Sequence, residues 1–177
     1  MKRLLLFALS VYALAIVQVS CRNDDEEEIV EPADLNATNQ DFLNFANWTL
    51  VTKTNGSTSG LGAAHSANDP TAFRWIYIKD NKTRKADGTF PVGTILVKEF
   101  RNADGTLKTT NPVAMVKRAK GFNAQAGDWE WFTLDRTTGN IGKNASTGAE
   151  LRGANLGNGS CNNCHNGAKD KDFVFSR

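Results

Sequence analysis

The sequence predicts an α+β fold built mainly from antiparallel β-sheet, with a few helices. Three observations indicate this. Several runs of strand-forming residues alternate apolar side chains at the two-residue period of a β-strand. Gly, Asn and Asp residues separate these runs at intervals too short for repeated helical crossovers. The 177 residues suit one domain plus a leader, and 40% of them are apolar, so a core can form without disulfides.

The N-terminus has the pattern of a bacterial export signal. An apolar run, residues 4–19, follows a basic start and is itself followed by an acidic tract. Ser20 and Cys21 end the run as they do in a lipoprotein signal, although Gln18 stands where leucine is usual. We therefore expect an exported protein with Cys21 lipidated, on the outer membrane or cell surface. An ordinary cleaved signal peptide, or an N-terminal anchor, with a periplasmic location is the alternative.

Composition divides the chain into three parts. We predict a signal peptide over 1–20, an acidic flexible tether over 21–40, and a folded domain over 41–177. The formal net charge is +2, and Lys2 and Arg3 of the leader carry two of the positive charges. The mature chain is therefore close to neutral, and we expect no nucleic-acid partner.

The elements of the domain follow from local patterns in chain order. Residues 41–48 carry their apolar side chains on one broad face and predict a short helix. Residues 52–70 are rich in Gly, Ser, Asn and Thr and predict a long loop. A Gly- and Asn-rich tail over 153–159 leads to the C-terminal motif. Strands are predicted over 73–78, 94–100, 112–117 and 129–134.

Alternation within two of these strands assigns side chains to faces of the sheet. In the first strand the two-residue period places Phe73, Trp75 and Tyr77 on one face and Arg74 on the opposite face. In the second strand the same period places Lys98 and Glu99 on opposite faces. Arg74 is then available to pair with an anionic group, and an exposed arginine is the alternative.

The strongest chemical signal is Cys161-Asn162-Asn163-Cys164-His165. Two thiols separated by two residues form thioethers with the two vinyl groups of one haem, and the next histidine can ligate its iron. We therefore predict one covalent haem c held by Cys161 and Cys164, with His165 as an axial ligand. With Cys21 lipidated, none of the three cysteines remains for a disulfide.

Two other uses of this motif fit the chain less well. A thiol–disulfide oxidoreductase needs its CxxC early in a βαβ unit, whereas only twelve residues follow His165 (177 minus 165) and no such unit precedes it. A structural zinc site needs four ligands, and beside the residues of the motif the chain offers only His65.

Further segments resemble the cytochrome P-460 family, which includes the haem-lysine cytochromes P-460 and the cytochromes c′-beta. The resemblance runs from about Ala63 to the C-terminus, with its blocks in the family's order, and Arg74 and Tyr77 fit the strand before the lysine segment. It implies an antiparallel sheet with a few helices, a homodimer, and a haem made five-coordinate by its one histidine. The matching segments are FPVGTILVKE (90–99), AMVKR (114–118), GDWEWF (127–132) and CNNCHNGAKDKDFVF (161–175).

The resemblance gives two positions a specific meaning. In the P-460 enzymes, the lysine matching Lys98 is joined covalently to the porphyrin, and the modified haem oxidises hydroxylamine. A surface lysine is the alternative. Those enzymes also place a glutamate at the position matching Val113, and valine cannot act as a base. Of the carboxylates nearby in sequence, Glu99 and Glu130, the former would face away from Lys98.

An apolar distal wall favours a small neutral gas over an anionic or protic ligand, as in the cytochromes c′-beta. The aromatic candidates for such a wall are Phe73, Phe90, Phe100, Phe122 and Trp131.

The sequence thus predicts a monohaem c-type cytochrome that binds or transforms a small nitrogen species or diatomic gas, such as nitric oxide or hydroxylamine. If it is an enzyme, it is an oxidoreductase. The alternative is an electron-transfer cytochrome whose sixth iron ligand comes from His65 or Met115. We also expect Arg74 near a haem propionate and a redox partner protein that the sequence does not identify.

Overall fold

A computed structural model describes residues 33–55 and 73–175 of the chain. Within these residues, six antiparallel strands form one sheet in their order along the sequence, which is a meander. These described residues cluster as one unit. The α+β prediction is confirmed. The strands are β1 (Thr49–Asn55), β2 (Phe73–Ile78), β3 (Ile95–Arg101), β4 (Val113–Lys117), β5 (Trp129–Thr133) and β6 (Arg152–Gly153).

The four predicted strands correspond to β2 through β5, and their ends agree to within a residue. The predicted loop over 52–70 differs from the structure at its start, because β1 continues to Asn55. Residues Thr52–Asn55 pair with β2 up to Asn55↔Phe73, so their backbone groups are satisfied by the ladder in spite of the polar composition. The rest of that loop, including His65, lies outside the described residues.

The predicted helix over 41–48 is present as two short 3-10 helices, Asn39–Phe42 and Phe45–Asn47. Asn44 separates them because it adopts a left-handed conformation with φ 56°. Helix α1 (Ser160–His165) contains the CNNCH motif, and a 3-10 helix over Asn166–Lys171 follows it directly. Among the described residues, no helix has the length and apolar character needed to cross a membrane.

The two faces of the sheet carry separate cores. The N-terminal segment covers the first face, and α1 with the C-terminal segment covers the second face. On the first face the buried residues include Phe42, Phe45, Tyr77, Val97, Val116 and Phe132. On the second face they include Ile78, Leu96, Met115, Trp129, Trp131 and Val174.

The folded unit reaches further toward the N-terminus than the predicted boundary at Asp41. Ala37 is fully buried in the first core. Asp34 accepts hydrogen bonds from Arg118 at 2.7 and 2.9 Å and from the backbone N–H of Ala119 at 2.8 Å. The part of the predicted tether from Asp34 onward is therefore held on the domain, because its acidic and polar side chains find fixed partners there.

Candidate haem-binding site

A cavity of about 350 Å³ lies between the second face of the sheet and the C-terminal segment. Its lining is mainly apolar, and no Asp or Glu of the described residues belongs to it. The sheet contributes Arg74, Ile76, Leu96, Lys98, Val113 and Met115. The C-terminal segment contributes Leu156, Cys161, Cys164, His165, Val174 and Phe175.

Cys161 and Cys164 are three residues apart on α1, so both thiols lie on one side of the helix and line the cavity. Both are free thiols and half-buried. Burial raises the pKa of Cys161, and the nearby charge of Lys98 opposes that effect. The thiol of Cys161 is therefore held protonated, and neither of the two described cysteines forms a disulfide.

His165, the last residue of α1, is fixed by one hydrogen bond and two aromatic neighbours. Its Nδ1 lies 2.6 Å from the carbonyl oxygen of Phe173. A carbonyl can only accept, so Nδ1 carries the proton and Nε2 has a free lone pair for a metal. Its ring centroid lies 4.6 Å from that of Trp131 and 5.3 Å from that of Phe175.

The protonation state of His165 also suits ligation. Burial lowers its pKa to about 4, and the charge of Lys98 contributes in the same direction. The hydrogen bond to Phe173 opposes the shift without reversing it. The imidazole is therefore neutral at pH 7, which is the form that binds iron.

Asn162, the second residue of the motif, fastens α1 to the sheet. Its Oδ1 accepts a hydrogen bond from Trp131 Nε1 at 2.6 Å and one from Asn123 Nδ2 at 3.1 Å. Asn123 Nδ2 also donates to the carbonyl of Trp129 at 2.7 Å. This network connects the helix that carries the thiols to β5, whose Trp131 lines the cavity.

Lys98 and Val113 face each other across β3 and β4 and both line the cavity. Desolvation lowers the pKa of Lys98; the charge of Arg74 acts in the same direction, while the thiols of Cys161 and Cys164 oppose it. Arg74 is itself buried and lines the same cavity. The structure thus places both basic residues singled out from the sequence on the face that carries the CNNCH helix.

The two carboxylates considered as bases from the sequence, Glu99 and Glu130, lie on the first face of the sheet, away from the cavity. Glu99 accepts hydrogen bonds from Tyr77 Oη at 3.2 Å and from Arg101 Nε at 2.7 Å. Glu130 pairs with Arg118 and Arg152. Neither group can act as a base in the cavity.

Of the five aromatic wall candidates, only Trp131 belongs to the lining formed by described residues. Phe90 instead packs on Trp129, with ring centroids 5.9 Å apart. The ring of Phe100 lies 5.3 Å from Lys98 Nζ and 5.8 Å from the Arg74 guanidinium. Phe73 is not part of the wall either, because it alternates along β2 with Arg74, which lines the cavity, and so lies on the opposite face. The ring of Phe122 instead contacts Arg118, whose guanidinium carbon lies 4.3 Å from the ring centroid.

The sequence reasoning missed several lining residues, chiefly Leu156, Val174 and Phe175. They come from irregular segments, where no periodic pattern assigns a side chain to a face. Met115, proposed as core or as an iron ligand, is buried in the second core and also lines the cavity. His65 and Cys21 lie outside the described residues.

The cavity suits a haem. Two free thiols and a neutral histidine with an available Nε2 lie on one side of it, and its walls are mainly apolar, with Arg74 and Lys98 as the charged side chains of the described lining. Such a donor set matches c-type attachment.

Comparison with known proteins agrees with this geometry. The sequence model of the family described as Cytochrome P460 matches residues 44–176, which include the whole described sheet from β1 onward and the CNNCH helix. A search of curated proteins finds no significant match. A match over this much of the chain, together with the cavity, identifies the chain as a haem-binding cytochrome that belongs to the cytochrome P460 family.

Proposed function

We propose that the protein is an exported monohaem c-type cytochrome that binds or transforms a small nitrogen species or diatomic gas at a five-coordinate iron. One observation carries this proposal. Cys161, Cys164 and His165 converge on an apolar cavity to which no described carboxylate contributes. A haem iron with one axial histidine has a coordination position open for a small ligand such as nitric oxide.

The C-terminal segment supplies the attachment. The thiols of Cys161 and Cys164 would each form one thioether with a haem vinyl group, and Nε2 of His165 would ligate the iron. The hydrogen bond from Nδ1 to Phe173 holds the ring orientation and strengthens the imidazole as a donor. Haem attached through both cysteines cannot be lost to the medium outside the cytoplasm.

The sheet supplies the remaining contacts. Arg74 and Lys98 are the two basic side chains of the described lining, and a haem propionate is an anion that either can bind. Lys98 has a second proposed role, a covalent link to the porphyrin edge. These two roles for Lys98 exclude each other, so a measured link would assign the propionate to Arg74.

The apolar wall around Val113 favours binding over oxidation. Hydroxylamine oxidation requires a base that removes protons from the substrate, and the carboxylates of Glu99 and Glu130 are engaged on the opposite face. Nitric oxide binding requires no proton transfer. We therefore favour nitric oxide, and hydroxylamine is the second choice.

Electron transfer is the alternative function, favoured by one observation: the thioether side chain of Met115 lines the cavity. A methionine that ligates haem iron as a sixth ligand gives a low-spin electron carrier. Met115 is also a member of the second core, which gives its burial an independent reason.

An optical spectrum of the purified protein distinguishes the two functions. We expect the reduced protein to be high-spin and to bind carbon monoxide readily. A low-spin reduced spectrum with sharp bands that Met115→Ala or His65→Ala abolishes would instead establish the electron carrier. Leu96→Ala, which changes the same cavity without removing a candidate ligand, is the matched control.

We also propose lipidation at Cys21, attachment to the outer membrane or cell surface, a redox partner protein and a homodimer. The mature protein should partition into detergent, and Cys21→Ser should release it as a soluble form. An unmodified N-terminus at any other residue, found by mass spectrometry, would refute lipidation.

A further inference from the structure

The hydrogen bond that orients His165 depends on an unusual stretch of backbone. Its acceptor is the carbonyl of Phe173, and both Asp172 and Phe173 have left-handed conformations, with φ 51° and 61°. Two consecutive non-glycine residues rarely adopt this conformation, and it persists only where surrounding contacts impose it. The orientation of the Phe173 carbonyl is therefore set by whatever holds Asp172.

A buried ion pair holds it. Asp172 Oδ1 accepts a hydrogen bond from Lys117 Nζ at 2.6 Å, and Asp172 Oδ2 accepts one from the backbone N–H of Phe90 at 2.7 Å. The carbonyl of Asp172 accepts a third from Trp129 Nε1 at 2.8 Å. Asp172 and Lys117 are each only 8% exposed. Every acceptor of Asp172 thus has a fixed donor.

Gly127 completes the support. Lys117 Nζ donates to the Gly127 carbonyl at 2.7 Å, so the ammonium group bridges Gly127 and Asp172. A Cβ at Gly127 would lie 2.7 Å from the ring of Phe173 and 3.0 Å from Asp172 Oδ1. Only glycine therefore permits the close approach of these two residues to the sheet.

We propose that Lys117 and Asp172 are positioning residues for His165: their ion pair fixes the Phe173 carbonyl and thereby sets how strongly the imidazole donates to iron. The inference rests on the proposed haem site. Lys117 ends β4, the strand whose Val113 and Met115 line the cavity. β4 thus lines the cavity through Val113 and Met115 and, through Lys117, also holds the segment that orients His165.

Asp172→Asn is the principal test. An amide has one acceptor atom, so its NH₂ group would face either Lys117 Nζ or the Phe90 N–H, and one donor would lose its partner. The Phe173 carbonyl should then shift from His165. A weaker hydrogen bond at Nδ1 lowers the basicity of the imidazole. We expect the iron–histidine stretching band of the reduced holoprotein to move to lower frequency and the midpoint potential to become more positive.

Two further variants separate positioning from stability. Lys117→Arg retains a cation for Asp172 and should keep the band and the potential close to wild type, whereas Lys117→Met should shift both. Glu130→Gln alters another buried ion pair, on the opposite face of the sheet, and should lower stability without moving either. If Asp172→Asn does not accumulate, Lys117→Met in the holoprotein carries the test.

The outcomes are distinct. Asp172→Asn and Lys117→Met could lower stability while the iron–histidine band and the midpoint potential stay unchanged. That result would overturn the positioning role but would not contradict the proposed haem site. If His165→Gly leaves the band and potential unchanged, the proposed haem ligation itself is wrong.

Discussion

At the scale of single residues, the chemistry of the cavity depends on which face of the sheet each side chain occupies. Lys98 and Val113 are paired across two strands and both reach the cavity, whereas Glu99, the neighbour of Lys98, lies on the opposite face. The two-residue period of the strand predicts the positions of Lys98 and Glu99 from sequence alone. The Phe173 carbonyl could not be predicted in this way, because its contact with His165 depends on the path of an irregular segment.

The first prediction concerns oxidation of hydroxylamine. We expect weak or absent turnover, because a missing general base costs about 10²–10⁴-fold in rate. Val113→Glu should raise turnover only if Lys98 is linked to the porphyrin, since both features act on the same bound substrate. Steady-state turnover with an artificial electron acceptor measures this.

Glu99→Gln is the matched control, because its carboxylate lies on the opposite face of the sheet. It should leave any residual turnover unchanged. Vigorous turnover by the unmodified protein would show that another residue supplies the base.

At the scale of elements, the regular strands were predictable and the irregular ones were not. β2 through β5 alternate clearly in sequence, whereas β1 has the polar end TKTN and β6 has only two residues. β1 and β6 join the sheet because they pair with neighbouring strands, and no local sequence pattern predicts that pairing. The helical geometry of the CNNCH motif likewise depends on tertiary contacts, of which those of Asn162 are the clearest.

The second prediction tests those contacts. Asn162→Ala should lower the free energy of unfolding by about 1–3 kcal/mol, because the buried Trp131 Nε1 loses its acceptor. Urea unfolding of the holoprotein measures the change. Asn163, the other variable residue of the motif, is exposed, so Asn163→Ala should change stability by no more than about 0.5 kcal/mol. Equal effects of the two substitutions would contradict the role given to Asn162.

At the scale of the whole molecule, one sheet separates two environments. Its first face carries a network of charges that binds the N-terminal segment, in which Asp34, Arg118, Glu130 and Arg152 are connected by ion pairs. Its second face carries the cavity, where the described lining has cations but no carboxylate. The sequence indicates the basic residues of the second face, but the network of the first joins positions far apart in the chain.

The third prediction concerns acid stability. The hydrogen bond from Arg118 lowers the pKa of Asp34 to about 2, from an ordinary value of 3.8. Because the folded-state pKa is the lower one, the contribution to stability is complete above about pH 4 and is lost as the pH falls toward 2. Asp34→Asn should therefore flatten the decline of stability over that range, as measured by urea unfolding. Asp170→Asn, an exposed aspartate outside the network, should retain the wild-type decline.

The central claim is that Cys161 and Cys164 hold one haem covalently in the cavity on the second face. Intact-mass measurement under denaturing conditions tests it most directly, and peptide mapping of the same sample reveals any link to Lys98. We predict that the wild-type chain carries the mass of one haem and that Cys161→Ala/Cys164→Ala carries none after acid–acetone extraction. Haem that survives extraction in the double variant, or a wild-type chain without bound haem, would contradict the account.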